Sequence, residues 1–186
     1  MIFGAPRTHS FAPGPPLTDI TLTILPEKAD DDAAIEKLSE RTFGPGRFAR
    51  SAYRLREDVP HRRELSFTAR IGTLLVGSVR LTPVRIGSAK AILLGPLTVE
   101  PPFRSNGIGK ALMQASMEAA KKAGENLILL VGDEPYYGRL GFRKVPRGRV
   151  KFPGPVDPER VLIAELTEGA FADVSGMTRP DYSARK

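Results

Sequence analysis

Hydrophobic and polar positions alternate in some stretches of this chain and recur at helical spacing in others. DITLTIL, residues 19–25, alternates as a strand does. DDAAIEKLSERTF follows, with Asp residues suited to a helix N-terminus and Ile35 and Leu38 on one face; GPG at 44–46 stops it. A second helix is predicted from Arg47 to about Glu57. Phe48, Ala52 and Leu55 share its inner face, while Arg47, Arg50 and Arg54 share another. LSFTARI and LLVGSVRLTPVRI read as strands turning at Gly72. AILLGPLTV, residues 91–99, is apolar enough to be covered on both faces. Proline cannot donate to a ladder, so Gly95-Pro96 predicts a bulge or break in pairing there.

A helix is predicted over 107–123, with Ile108, Leu112, Ala115 and Ala119 inward and Gly124 as its stop. NLILLVG reads as a buried strand. DEPYYGRLGFRKV reads as a short helix, a glycine turn and a strand, and RVLIAELT as the last clear strand. The strand–helix–strand run around 91–131 implies a parallel pair inside a mostly antiparallel sheet, an α/β (α+β) arrangement with helices on both faces. The Pro- and Gly-rich residues 1–18 read as a flexible arm, 19–170 as one domain and 171–186 as a loosely packed tail.

Composition narrows the chemistry. The 186 residues contain no cysteine, which excludes disulfides, thiolate metal sites and a cysteine nucleophile. It also fits a reducing, cytoplasmic setting. His9 and His61 are the only histidines, too few for a histidine-based metal cluster, and no metal is expected. No run approaches the ~18 apolar residues of a membrane span, and the N-terminus does not read as a signal peptide. The net charge of +7 points to anionic ligands, or to solubility alone.

The sharpest local signal is FRSNGIGKALM, residues 103–113. A Walker A loop, G-x-x-x-x-G-K followed by Ser or Thr, fails. Its first glycine would fall on Arg104 and its hydroxyl on Ala111. A dinucleotide fingerprint, G-x-G-x-x-G, fails at Leu112. A third pattern, Arg or Gln, then x-x-G-x, then Gly or Ala, fits Arg104, Gly107 and Gly109. Such glycines let successive N–H groups converge on a pyrophosphate at a helix N-terminus. A tight turn without a ligand would look the same in six residues.

About thirty residues on stands YYGRLGF, Tyr136 to Phe142. It resembles the aromatic-Tyr-x-x-x-Gly-Phe motif of the GNAT acyl-CoA N-acyltransferase superfamily, and lies after the strand that follows the glycine-turn helix, as it does there. LGPLTVEPPFRSNGIGKALM and GDEPYYGRLGF look like its YhbS-like branch. The resemblance covers about residues 19–167. It implies the GNAT fold, with a splayed parallel pair, and an acetyl-CoA-dependent N-acetyltransferase acting on an amine of a small molecule or protein. It also implies that the backbone of Arg104, Ser105, Asn106, Gly107, Ile108, Gly109, Lys110 and Ala111 cradles the acetyl-CoA pyrophosphate. Leu97, Thr98 and Val99 form the strand that pairs with pantetheine, with the peptide groups of Leu97 and Val99 making the bonds. Tyr137 faces the CoA sulfur as general acid, while Tyr136 is a packing residue.

Some relatives carry a glutamate near the positions of Leu93 and Leu94; here those are leucines, and the base is left open among Glu100, Asp133, Glu134 or none. Glu100 reads otherwise as a strand-end charge, Asp133 as a helix cap. Arg-rich segments at 41–63 and 139–151 suit an acidic acceptor, RNA or a solvated face. A non-catalytic acyl-CoA-sensing or nucleic-acid-binding module is the competing expectation. The amine acceptor stays unidentified, and a homodimer is compatible with the sequence.

Overall fold

The computed structural model describes residues 21–44 and 51–184. Its strands are β1 (Leu22–Pro26), β2 (Phe67–Ile71), β3 (Leu74–Ile86), β4 (Ala89–Val99), β5 (Leu127–Val131), β6 (Arg143–Lys144), β7 (Val150–Lys151), β8 (Val161–Glu165) and β9 (Gly176–Pro180). Its α-helices are α1 (Asp32–Phe43), α2 (Ser51–Arg54), α3 (Ile108–Lys122) and α4 (Glu134–Tyr137). The strands run in the order β1-β2-β3-β4-β5-β8-β6, and β9 adds to the end of β3. All pairs are antiparallel except β4–β5 and β7–β9.

Two irregularities in β4 open the sheet. Between the pairs Val79–Leu97 and Leu81–Leu94, β4 takes three residue steps where β3 takes two. The extra residue falls at Gly95-Pro96, where the chain bulges as expected from a proline inside a strand; this peptide bond is cis. On its other edge, β4 meets β5 only at Ile92–Ile128 and Leu93–Leu129. Beyond those pairs β5 continues along β8 while β4 continues along β3. The parallel pair therefore splays.

Alternation along these strands sends Ile92, Ile128 and Leu130 to one face, where they pack with Ile108, Leu112 and Met113 of α3. Leu93, Leu127 and Leu129 reach the other face and meet Leu55, Phe152 and Phe171. The buried stripe of α3 is Ile108, Leu112, Met113, Ser116 and Ala120 rather than one through Ala115 and Ala119. Buried Ser116 masks it in the sequence; its hydroxyl is satisfied by donating to the Leu112 carbonyl at 2.9 Å.

Two expectations are corrected. The C-terminal segment is not a loosely packed tail: β9 pairs with β3 and β7, Phe171 is buried, and Thr178 donates its hydroxyl to the Lys151 carbonyl at 2.8 Å. The second helix, where described, is the short α2, which gives way to turns before Asp58 at φ +59°. Its expected start at Arg47, with Phe48 and Arg50, lies outside the described residues, as do residues 1–18. Leu55 is fully buried as its spacing required.

Candidate active site

The splay leaves a cavity of about 640 Å³. Leu94 to Leu97 of β4 form one wall, and Leu130 to Asp133, at the end of β5, form the facing one. Glu36, Ser39 and Phe43 of α1 border it, together with His61, Arg80 and Tyr137.

The edge of β4 that faces the gap is available for pairing. The Glu100 N–H donates to the Val76 carbonyl at 2.9 Å. That bond makes Gly77–Val99 a non-hydrogen-bonded pair of the antiparallel ladder, so Val99, and two residues back Leu97, turn their N–H and C=O away from β3. Arg104 Nε, 3.3 Å from the Val99 carbonyl, approaches from that open side. Thr98 is a correction. Its backbone faces β3, it is fully buried, and its hydroxyl is bonded to that of Ser78 at 2.6 Å. It sets the strand without lining the gap.

The glycine turn leads directly into α3. Gly107 is the N-cap at φ +76°, and Ser105 is also left-handed at φ +68°. An α-helix leaves its first N–H groups without internal acceptors, here Gly107, Ile108, Gly109 and Lys110. Ala111 and Arg104 are corrections as amide donors: their N–H groups already bond the Gly107 carbonyl at 3.0 Å and the Pro101 carbonyl at 3.3 Å. The available donors converge where the helix macrodipole is positive, and Lys110 adds charge.

The YYGRLGF motif folds back on itself. Gly141 at φ +89° reverses the chain, and the Phe142 N–H donates to the Tyr137 carbonyl at 3.3 Å. Buried Phe142 then meets Tyr137 edge-on, with ring centroids 6.0 Å apart. The Tyr137 ring lies over Gly132, against the cavity. Burial, reinforced by Tyr136 and Asp133 and opposed by Arg160, pushes its phenol up to about 12. Tyr136 packs edge-on to Tyr137 at 4.8 Å, and its hydroxyl reaches the first turn of α3, where a β-carbon on Gly109 would stand 2.5 Å away. It joins the glycine turn to the Tyr137 site.

Glu100, Asp133 and Glu134, the acids the sequence offers as bases, all have ion-pair partners. Asp133 stands at the N-cap of α4 but makes no side-chain cap; it accepts from Arg160 at 3.0 Å instead. Glu100 pairs with Arg41, and Glu134 with Lys144 at 3.7 Å. Many of the described basic residues of the Arg-rich segments are paired in the same way. Arg62 meets Glu64 and Glu125, Arg63 meets Asp32 and Glu27, Arg143 meets Glu165, and Lys144 and Arg147 meet Glu159. Arg149 donates to the carbonyls of Val174, Phe171 and Ala172 and lies over the Phe171 ring. These positive segments have no acids within 139–151, but the fold brings acids to them.

One cluster was not foreseen. Glu27, whose side chain is fully buried, accepts from Arg80 at 2.8 and 3.1 Å and from Arg63 at 3.0 Å, and lies 2.7 Å from His61 Nε2. Its members come from β1's end, the 61–63 turn and β3, so no local pattern announces it.

The sequence profile of the acetyltransferase (GNAT) family matches residues 33–142. The chain belongs to that family. Among its relatives, the uncharacterized N-acetyltransferase YhbS of Escherichia coli is 24% identical over 149 residues, 79% of this chain and 89% of YhbS. The uncharacterized N-acetyltransferase YjhQ of Escherichia coli is 29% identical over 116 residues, 60% of this chain and 64%, just under two thirds, of YjhQ. The crystal structure of Escherichia coli YhbS in complex with CoA superposes with a TM-score of 0.73 at 22% identity, covering 96% of this chain and 97% of that one. A GNAT acetyltransferase from Brucella melitensis in complex with acetyl-CoA gives 0.56 at 24% identity, covering 82% and 99%. The GNAT fold expected from the two motifs is therefore present. No helix among the described residues is long and apolar enough to cross a membrane.

Proposed function

We propose that this chain transfers the acetyl group of acetyl-CoA to a primary amine. The observation that carries the reading is a convergence. Leu97 on the open edge of β4 and the Tyr137 ring line one gap in the sheet, and the first turn of α3 lies beside it, with Gly109 against Leu97 and Tyr136. A pyrophosphate fits the amides of Gly107 to Lys110. A pantetheine amide chain fits the Leu97 and Val99 peptide groups as an added strand. The thioester then lies between the bulge and Tyr137.

In this arrangement backbone N–H groups beside the Gly95-Pro96 bulge stabilise the oxyanion as the amine adds to the thioester carbonyl. Tyr137 donates its proton to the departing sulfur, and its raised pKa keeps that proton in place at neutral pH. The related structures with CoA and acetyl-CoA support this use of the fold. The nucleic-acid reading loses support because so many of the arginines that suggested it are held by acids or carbonyls of the same chain.

The test is thiol release from acetyl-CoA in the presence of free amino acids, small amines and peptides with free N-termini, with acetylated products identified by mass. Amine-dependent release that collapses in Tyr137→Phe supports the reading. Release that no amine stimulates contradicts it.

A further inference from the structure

An amine arrives mostly as an ammonium ion and must lose a proton before it can attack. Tyr137 holds its own proton too firmly to accept another group's, and leucines occupy positions 93 and 94 on β4. His61 is the one imidazole among the described residues, and it lines the same cavity as Tyr137 and the β4 bulge. Its position is fixed. The Arg62 N–H donates to the Leu81 carbonyl at 2.7 Å, and Leu81 pairs with Leu94, next to the bulge. Two strand spacings, about 10 Å, therefore separate the His61 backbone from the bulge.

The orientation of the ring follows from Glu27. Burial pushes its carboxyl up, but hydrogen bonds from His61 and Arg80 and the charge of Arg80 outweigh this and hold it below its ordinary value. An ionised carboxylate only accepts, so Nε2 donates and Nδ1 carries the lone pair of the neutral ring. Nδ1 has no hydrogen-bond partner among the described residues, and the side chain is 17% exposed. Glu27, Asp32 and His61 have ligand atoms within 4.8 Å of one another, a spacing a metal ion could use. Here guanidinium groups fill that role, since Arg63 bonds both acids and so does Arg80. Charged groups around the ring include Glu27 beyond β1, Asp32 and Glu36 of α1, Arg56 beside the bulge, Arg62, Arg63 and Glu64 of the turn that follows, and Arg80 of β3.

We infer that His61, positioned by Glu27, is the proton acceptor for the amine substrate, directly or through one water; this rests on the acetyltransferase reading above. His61 Nδ1 takes a proton from the ammonium. The neutral amine forms the C–N bond to the thioester carbonyl carbon, and the C–S bond breaks as the tetrahedral adduct collapses. Tyr137 protonates the sulfur and recovers a proton from the new amide nitrogen. His61 then releases its proton to solvent, so each turnover yields amide, CoA thiol and one proton.

Two measurements test it. Long-range 1H–15N spectra of labelled protein, with His9→Gln to remove the other imidazole, should show neutral His61 as the Nε2–H tautomer. The Nδ1–H tautomer would overturn the assignment. In thiol-release assays with the best amine of the panel, His61→Gln should lower kcat/KM by about 10²–10⁴-fold at neutral pH. The deficit should shrink as alkaline pH deprotonates the amine itself, with acetyl-CoA binding by calorimetry unchanged. Glu27→Gln should alter the tautomer populations and the pH profile together. A wild type that turns over beside an equally active His61→Gln removes the base assignment alone. A wild type that acetylates no amine removes the acetyltransferase reading, and this step with it.

Discussion

The ring of Tyr137 rests so closely on Gly132 that a β-carbon there would stand 2.2 Å from Tyr137 Cε2 and 2.8 Å from Cδ2. Position 132 is thus part of how Tyr137 is aimed. No real contact is that short, and the ring is already fixed by Phe142, so Gly132→Ala must displace it. The expected cost is about 1–3 kcal/mol in denaturant unfolding, as for other overpacked sites, together with a loss of turnover larger than any loss of acetyl-CoA affinity. Unchanged turnover would mean that the ring position is immaterial.

Tyr137→Phe keeps the packing and removes the proton. Turnover should fall about 10²–10⁴-fold, the range for a lost general acid, while acetyl-CoA affinity stays within a few-fold. An acid works while protonated and fails as pH rises through its pKa. With the phenol pushed up to about 12, no alkaline decline from Tyr137 should appear until pH approaches that value. Equal losses in affinity and turnover would show that the hydroxyl binds rather than donates.

Gly107→Val should abolish acetyl-CoA binding through the backbone and through the ligand. Within the protein a β-carbon at position 107 meets nothing within 4 Å, so internal crowding is not the cause. The left-handed φ of +76° costs a β-branched residue about 1–2 kcal/mol, and the methyls would stand where the pyrophosphate approaches. Gly107→Asn, which tolerates this conformation, should retain more binding than Val in parallel calorimetric titrations. The reverse order would discount the conformational argument.

Glu27→Ala removes one of the two carboxylates shared by Arg63 and Arg80 and leaves them Asp32 alone. Breaking a buried ion pair costs about 3–5 kcal/mol; the low end applies, because Arg63 and Arg80 keep partial contact with solvent. The Glu27 pKa is lowered by folding from its ordinary 4.5, so the carboxylate's stabilisation is complete above that pH and is lost as pH falls through the depressed value. Urea unfolding across acidic pH should show the gap between wild type and Glu27→Gln closing below that range. A gap independent of pH would mean that the carboxylate's charge does not matter.

What could be read from the sequence was local. Gly95-Pro96 announced its bulge because proline forbids a ladder bond, and α3 announced itself by period and by Gly124. Alternation of peptide groups along a strand assigned the pairing to Leu97 and Val99, and the Thr98 between them turns to β3. β9 was hidden because GMTRP lacks alternation and pairs only with the far end of β3 and the two-residue β7. Glu27, His61 and Arg80 meet across 34 and 53 positions, and Asp133 left its capping role for Arg160, 27 residues on. Long-range electrostatics of this kind leaves no period in a sequence.

The most direct test of the site is calorimetric titration of the folded protein with acetyl-CoA, with CoA and ATP alongside. The gap and the helix N-terminus predict saturable, micromolar binding of acetyl-CoA and CoA, with ATP far weaker because it lacks the pantetheine that pairs with β4. Failure to bind acetyl-CoA, or ATP binding as tightly, would contradict the account.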